Sequence, residues 1–230
     1  MVERLAALSE RDVVLEVGPG HGVLTRYLAE RVALVHAVEI DRRLEPDLAG
    51  LERVRVHWGD ALRLDLTRLD PPPRKLVANL PYNIATPLLA ESLLLEQLER
   101  WCVMVQREVA DRLFARPSTK SYGAVSVLVQ LAAERVGFHP VSREVFRPRP
   151  NVDSALVAFR RIGAAADART RRVVEASFAH RRKTLANSLA LSGVASRERA
   201  AAALVVLGRP ASTRAEALTP QEFVALAEAL

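Results

Sequence analysis

Four short apolar runs in the first third of the chain each end at a glycine, a carboxylate or an amide, namely Gly18, Glu39, Asp60 and Asn79. Such runs, bounded by turn residues, are typical of the buried strands of a parallel sheet. The carboxyl ends of parallel strands meet at one edge of the sheet, where ligands bind. We therefore expect these four residues to line one binding site.

The first of these turns, Glu16-Val17-Gly18-Pro19-Gly20, precedes a segment with helical spacing. Glycines let the backbone approach a ligand closely, and a helix start presents free N–H groups. A dinucleotide fingerprint needs a third glycine at position 23, which is valine, so a pyrophosphate ligand is disfavoured. Glu39 follows at the spacing at which a carboxylate accepts hydrogen bonds from ribose hydroxyls, and Asp60 can accept one from an adenine amine. The pattern indicates an adenosine cofactor without a pyrophosphate.

The segment Asn79-Leu80-Pro81-Tyr82 follows the fourth apolar run. A base amine is a poor nucleophile because its lone pair is delocalised into the ring, and it needs acceptors that favour a tetrahedral nitrogen. The Asn79 side-chain oxygen and the main-chain carbonyl of Leu80 or Pro81 can supply two acceptors, while Tyr82 offers a stacking face for an extruded base. Such a site needs no metal and no covalent nucleophile, since positioning beside an activated cofactor supplies much of the rate.

The elements that must position these residues are predicted from the same runs. Strands are expected at residues 13–18, 34–40, 53–58, 75–80, 101–106, 135–141 and 155–161, and helices at 22–30, 87–100 and 107–115. Alternating strands and helices predict an α/β fold with a parallel sheet. After residue 163 the β-type runs give way to alanine-rich helical spacing, with Thr219 and Pro220 expected to begin the last helix. We expect one domain at residues 1–163 and a small helical domain at 164–230.

The charge of the chain favours a polyanionic partner. Lysine and arginine total 33 against 27 acidic residues, a net charge of +6, and residues 164–230 hold 10 basic against 6 acidic residues. Two segments are candidate contacts with phosphates: the proline-flanked arginines Arg147 and Arg149, expected in an exposed loop, and the basic run 180–183, predicted to lie on a helix.

Composition excludes several other classes of protein. With 230 residues, 50% hydrophobic and 26% charged, the chain is typical of a globular protein and not of collagen, a coiled coil or a disordered chain. The single cysteine, Cys102, excludes a disulfide framework and is expected to pack in a strand, and the five histidines lack metal-site spacing. The chain has no apolar stretch of about 20 residues and no basic-then-apolar N-terminus. We expect a cytoplasmic monomer without metal or membrane contact.

Together these motifs resemble the ribosomal RNA adenine dimethyltransferase family, and within it the bacterial enzymes that act on two adjacent adenines near the 3′ end of 16S rRNA. The resemblance extends from about residue 13 to residue 230. The similar segments are 16–20 (cofactor loop), 38–41 (ribose), 59–61 (adenine), 79–84 (catalysis), 106–113, 120–123, 145–154 and 178–185.

The resemblance implies S-adenosylmethionine as methyl donor, a seven-stranded Rossmann-like sheet and a helical C-terminal domain that helps to hold 16S rRNA in the small ribosomal subunit. It implies cofactor contacts by Glu16, Gly18, Gly20, Glu39, Ile40, Asp60, Ala61 and Asn79. It implies catalytic roles for Asn79, Leu80, Pro81, Tyr82 and Phe146, the last closing the second face of the target base. It implies RNA contacts by Arg147, Arg149, Arg181, Arg182 and Lys183.

The family also carries a Gly-Gln-Asn/His-Phe-Leu segment ahead of this start, which contacts the methionine end of the cofactor. Here the chain opens at Met1, and we expect weaker cofactor binding for that reason. Three alternatives stay open: a large-subunit rRNA adenine methyltransferase, disfavoured by segments 120–123 and 178–185; a non-catalytic RNA-binding assembly factor; and a DNA adenine methyltransferase, disfavoured by the asparagine-led motif.

Overall fold

The structure, a computed structural model, describes residues 1–147 and 149–230. It forms two compact units, the first from residues 1–110 and 134–162 and the second from residues 111–133 and 163–230. The chain passes from the first unit to the second for the last time between residues 162 and 163. Residues 111–133, which the sequence analysis placed in the first domain, group with the second unit.

The first unit contains one seven-stranded sheet, with strands β1 (Val13–Val17), β2 (Leu34–Glu39), β3 (Val54–Trp58), β4 (Lys75–Asn79), β5 (Arg100–Gln106), β6 (Ala133–Val141) and β7 (Ser154–Arg161). Their order is β3-β2-β1-β4-β5-β7-β6. Strands β1 to β5 pair in parallel, but β7 runs antiparallel to β5. The expected α/β class and all seven strands are confirmed. The sheet is therefore mixed, and the prediction of a parallel sheet was wrong for β7. The sequence could not show this, because an apolar run identifies a buried strand but not its direction.

The helices of the first unit are α1 (Val2–Ala6), α2 (Val23–Ala29), α3 (Glu45–Leu48) and α4 (Ala85–Ser92), and α5 (Arg107–Leu113) crosses into the second unit. The prediction of a helix over 87–100 was wrong in extent, since α4 ends at Ser92. The chain then forms turns. The Arg161 guanidinium donates hydrogen bonds to three backbone carbonyls in these turns, those of Leu93, Leu95 and Leu98. These bonds stabilise the turns in place of a longer helix.

Buried aliphatic side chains from the strands and from α2 form the core of this unit, among them Val14, Leu28, Val35 and Val77. The Cys102 thiol is buried among them, as expected for a packing residue. Burial raises the pKa of its thiol to about 12, so the group stays protonated and unreactive at neutral pH.

The second unit is helical, with α6 (Ala124–Ala132), α7 (Ala168–Ala179), α8 (Leu185–Leu191), α9 (Arg197–Val206) and α10 (Pro220–Ala229). Helix α6 packs on α7 and α10 and buries Val125, Val127, Leu128 and Val129. This burial explains why residues 111–133 group here. Thr219 caps α10 with Pro220 at its first position, as predicted. Throughout the described ranges, no helix is long and apolar enough to cross a membrane.

Candidate active site

Backbone hydrogen bonds continue the sheet beyond the carboxyl ends of three parallel strands. The bonds run from Gly18 N to Val38 O (2.9 Å), from Gly59 N to Glu39 O (2.8 Å) and from Leu80 N to Met104 O (3.0 Å). They hold the segments that follow β1, β3 and β4 in register with their neighbours. The four strand-end residues of the sequence pattern therefore lie at one edge of the sheet, as predicted.

The glycine turn after β1 has a left-handed backbone, with φ +70° at Gly18 and +57° at Gly20. A Cβ atom at Gly18 would lie 3.0 Å from Pro81 Cγ, so this glycine permits contact with the segment after β4. A Cβ atom at Gly20 would meet no atom within 4 Å. The two glycines thus serve different purposes: Gly18 allows close packing, and Gly20 leaves open space.

The Glu39 carboxylate ties the end of β2 to this turn. Its Oε1 accepts hydrogen bonds from Ile40 N (2.8 Å) and Asp41 N (2.9 Å), and its Oε2 accepts one from Gly20 N (3.2 Å). Since a carboxylate oxygen can accept two hydrogen bonds, Oε2 keeps one position for a ligand. The sequence motif suggested Glu39 as a ligand residue but could not show that it also fixes the loop.

A first cavity of about 310 Å³, here the Glu39 cavity, lies at this edge. It is lined by five of the predicted cofactor residues, Gly18, Glu39, Ile40, Asp60 and Ala61, together with Val17, Val38, Gly59, Pro81, Asn83 and Ile84. Oδ1 of Asp60 accepts a hydrogen bond from Leu62 N at 2.9 Å. Oδ2 of Asp60 forms an ion pair with Arg63 Nε at 3.5 Å. Because a carboxylate oxygen can accept two hydrogen bonds, Oδ2 keeps one position for a ligand.

A second cavity of about 830 Å³, the Glu16 cavity, is also lined by Gly18, Gly20 and Asn79. Glu16 is 1% exposed, and its Oε2 has no hydrogen-bond partner among the described residues. Burial, and to a lesser extent the charge of Glu39, raises the pKa of the Glu16 carboxyl to about 7. The buried Thr25 hydroxyl, which also lacks a hydrogen-bond partner among the described residues, lowers this pKa in part. A buried carboxyl without a partner is costly, so this residue is suited to a cationic ligand group.

A third cavity of about 270 Å³, the Tyr82 cavity, is lined by the predicted catalytic residues Asn79, Leu80, Pro81, Tyr82 and Phe146, and by Pro150. The sequence left two carbonyls open as the second acceptor. Pro81 O already accepts hydrogen bonds from Ile84 N and Ala85 N, both at 3.1 Å, which uses both of its lone pairs. Leu80 O is therefore the better candidate.

Sequence reasoning missed Ser154, which is 1% exposed. Its Oγ lies 2.8 Å from the Tyr82 hydroxyl, and the two groups share a hydrogen bond. Ser154 reaches this edge because β7 is antiparallel to β5 and begins where β5 ends, with Ser154 opposite Gln106. Only the strand direction reveals this contact.

The three cavities adjoin one another through shared residues. Gly18 lines the Glu39 and Glu16 cavities, Asn79 lines the Glu16 and Tyr82 cavities, and Pro81 lines the Glu39 and Tyr82 cavities. A ligand in the first two would therefore lie beside a group in the third. This arrangement suits transfer of a small group from a bound cofactor to a flat ring.

The arginines of the loop before β7 are exposed, and both contact Glu144. Arg149 forms an ion pair with the Glu144 carboxylate at 2.6 Å, and Arg147 donates to the backbone carbonyls of Glu144 and Phe146. Pro148, predicted to stiffen this loop, lies outside the described residues. The exposure of Arg147 and Arg149 agrees with the expected exposed loop.

The basic run 180–183 is exposed, but its predicted helical position was wrong. Helix α7 ends at Ala179, and residues 180–183 form the turn before α8. The turn is stabilised by a hydrogen bond from Lys183 N to His180 O (2.8 Å) and by Thr184, which caps α8. Arg181 donates to the carbonyls of Lys120 and Tyr122, so it fixes the turn. Arg182 and Lys183 are exposed and give this turn two positive charges on the surface.

Comparison with known proteins identifies the relatives of this chain. The sequence pattern of the family described as ribosomal RNA adenine dimethylase matches residues 3–228. The Rubrobacter xylanophilus protein named ribosomal RNA small subunit methyltransferase A is 52% identical, over 96% of this chain and 86% of its own. The protein of the same name from Thermobifida fusca is 46% identical, over 99% of this chain and 83% of its own.

Two solved structures share the fold over nearly the full length. A dimethyladenosine transferase from Plasmodium falciparum has a TM-score of 0.74 at 23% identity, covering 98% of this chain and 92% of its own. The 23S rRNA methyltransferase ErmE has a TM-score of 0.63 at 29% identity, covering 100% and 95%. These similarities confirm the Rossmann-like fold expected from the sequence.

Proposed function

This chain belongs to the ribosomal RNA adenine dimethylase family, and from that premise we propose that it dimethylates the exocyclic amines of two adjacent adenines near the 3′ end of 16S rRNA, with S-adenosylmethionine as donor. The small subunit is favoured because the relatives at 52% and 46% identity are named for it. The observation that carries the proposal is the meeting of three cavities at Asn79 and Pro81.

The residues of the first two cavities fit this cofactor. S-adenosylmethionine supplies a methyl group already activated by its sulfonium centre. Glu16, whose buried Oε2 lacks a partner, would pair with the cationic amino group of the methionine part. Oε2 of Glu39 would accept from a ribose hydroxyl and Asp60 from the adenine amine, while Ile40 and Ala61 give apolar contact.

The third cavity fits the adenine that receives the methyl group. Oδ1 of Asn79 and O of Leu80 would accept hydrogen bonds from its exocyclic amine and turn the nitrogen lone pair towards the donor. The rings of Tyr82 and Phe146 line the same cavity and would hold the two faces of the base. These residues act by orientation, which accounts for a large share of such rate enhancements.

Exposed basic side chains would hold the rRNA through its phosphates. Arg147 and Arg149 belong to the first unit, and Arg182 and Lys183 to the second, with Arg181 fixing the turn that carries them. Contacts of this kind fix position and do not read sequence. We propose that the protein acts as a monomer on the small ribosomal subunit in the cytoplasm.

Mapping of the product tests the proposal. The chain is incubated with labelled S-adenosylmethionine and unmethylated small or large ribosomal subunits, and the modified nucleotides are identified by mass spectrometry. We expect two adjacent N6,N6-dimethyladenines in 16S rRNA, and a loss of at least about a hundredfold in kcat for Asn79→Ala, as for other orienting groups. Calorimetry should show that Glu39→Ala weakens cofactor binding more than Asn79→Ala does.

Two other outcomes would overturn the proposal. Methylation of 23S rRNA alone would favour the activity named for ErmE, a relative in fold at 29% identity. Binding of the small subunit without methylation of either rRNA would favour the non-catalytic assembly factor.

A further inference from the structure

A fourth cavity of about 410 Å³, the Gln106 cavity, has no role in the proposed function so far. It is lined by Gln106, Arg107, Glu108, Arg143, Asn151, Val152 and Asp153. None of these residues lines the other three cavities. Its volume is in the range of small-ligand sites.

The Gln106 cavity lies next to the Tyr82 cavity. Gln106 is the register partner of Ser154, and Ser154 is hydrogen-bonded to Tyr82. The loop between β6 and β7 contributes to both cavities, since Phe146 and Pro150 line one and Arg143 and Asn151 line the other. A nucleotide strand with one base in the Tyr82 cavity would therefore carry its neighbouring base past the Gln106 cavity.

Backbone and side-chain hydrogen bonds fix the rim of the Gln106 cavity. Arg143 N donates to Asp153 Oδ1 (3.0 Å), the Arg143 guanidinium donates to Asn151 O (3.1 Å), and Arg107 N donates to Asp153 O (2.9 Å). The side-chain amides of Gln106 and Asn151 take part in none of these three bonds. The cavity thus presents two amides on a rim that is already ordered, which lowers the cost of binding.

The lining favours a neutral base over a phosphate. Two arginines, Arg107 and Arg143, are balanced by two carboxylates, Glu108 and Asp153, so a phosphate would meet negative charge. Asparagine and glutamine amides pair with the N6 and N7 edge of adenine, and carboxylates accept hydrogen bonds from base amines.

We propose that the Gln106 cavity binds the adenine next to the one being methylated, with Gln106 and Asn151 reading its edge. The inference rests on the proposed function, because that function supplies two adjacent adenines. It makes Gln106 and Asn151 specificity-determining residues. The enzyme would then recognise the pair of adenines and not only the base that reacts.

A double-mutant cycle tests the subsite. Small subunits are prepared with the natural adenine pair, or with either adenine replaced by uridine, and kcat/KM is measured for the wild type and for Gln106→Ala and Asn151→Ala. We expect each variant to lose roughly 5- to 150-fold on the adenine pair, the range for one amide–adenine contact. For at least one of the uridine-substituted subunits, the kcat/KM of the wild type should fall by a similar factor. On that subunit, Gln106→Ala and Asn151→Ala should have the same kcat/KM as the wild type.

Gln97→Ala is the matched control. Gln97 is half-buried like Gln106 but precedes β5, and so lies at the opposite end of that strand. Its replacement should leave kcat/KM unchanged on all three subunit preparations. If the uridine substitution and Gln106→Ala lowered kcat/KM additively, the subsite would be overturned and the proposed function would stand. The same conclusion would follow if neither Gln106→Ala nor Asn151→Ala lowered kcat/KM on the adenine pair. A wild type that methylates none of the subunits would overturn both.

Discussion

Tyr82 and Ser154 are separated by 72 positions in the chain, yet their hydroxyl groups lie 2.8 Å apart. Tyr82 is half-buried beside the Tyr82 cavity, whereas Ser154 is fully buried at the start of β7. The bond therefore joins a site residue to the rigid sheet. Ser154 is a positioning residue for the ring that would stack on the target base.

Removal of this hydrogen bond should weaken substrate binding more than it slows the chemical step. We expect Ser154→Ala to raise KM for the small subunit about three- to tenfold, the effect of one neutral hydrogen bond, with little change in kcat. Tyr82→Phe should give a similar loss, and the double variant should lose no more than either single variant. Additive losses would contradict a shared bond, and thermal melting provides the control for folding.

The raised pKa of Glu16 predicts that the stability of the protein without cofactor depends on pH. The folded pKa is about 7 against an ordinary value of 4.5, so the native state binds the proton more tightly than the unfolded state does. The contribution of Glu16 to stability is thus largest below about pH 4.5 and is lost as the pH rises to about 7. The full difference is on the order of 3 kcal/mol.

Comparison with Glu16→Gln isolates this contribution, because burial lowers the pKa values of His36 and His57 and gives an opposite trend near pH 6.5. We measure the free energy of unfolding in urea at several pH values. Between pH 5 and pH 7 the wild type should lose stability relative to Glu16→Gln. A difference that is constant with pH would contradict the raised pKa.

The same carboxyl should make cofactor binding depend on pH in the opposite sense. Pairing with a cationic amino group requires the ionised form of Glu16, so affinity for S-adenosylmethionine should rise about five- to tenfold from pH 6 to pH 7.5. Calorimetry in two buffers of different ionisation enthalpy should also detect release of a proton on binding. Glu16→Gln should remove both effects, and their persistence in that variant would assign them to another group.

How far the sequence predicts this site depends on the range of each interaction. The strand ends Gly18, Glu39, Asp60 and Asn79 follow from local apolar runs, and parallel pairing brings them together. Ser154 could not be found in this way, because its position depends on the antiparallel pairing of β5 with β7. The basic run 180–183 was misplaced on a helix, since the cap at Thr184 that begins α8 competes with continuation of α7.

Gly20 gives a prediction that separates backbone strain from obstruction of the site. Gly20→Ala and Gly50→Ala both place a side chain on a left-handed backbone, with φ +57° and +72°, and neither Cβ would meet an atom within 4 Å. Each should therefore cost about 1–2 kcal/mol of stability. Only Gly20 lines the Glu16 cavity, so only Gly20→Ala should weaken S-adenosylmethionine binding in calorimetry. Equal binding by the two variants would show that this glycine does not face the cofactor.

The turn between α7 and α8 gives a prediction about salt dependence. Arg182 and Lys183 are exposed. If each contacts a phosphate, replacing both should make the slope of log affinity against log salt less steep by roughly 2. Arg182→Ala with Lys183→Ala is compared with Arg197→Ala with Arg199→Ala, an exposed pair in the first turn of α9. Binding of a 16S rRNA fragment is measured between low and physiological salt.

Both double variants remove two positive charges from the second unit, so a general effect of net charge would lower both slopes equally. Contact at the turn requires a larger change for Arg182 and Lys183 than for the α9 pair. Arg181 is left in place because its guanidinium holds the backbone of Lys120 and Tyr122, and its loss would disturb the turn itself. Equal slopes for the two double variants would contradict a phosphate contact at this turn and leave the loop arginines Arg147 and Arg149 as the remaining candidates.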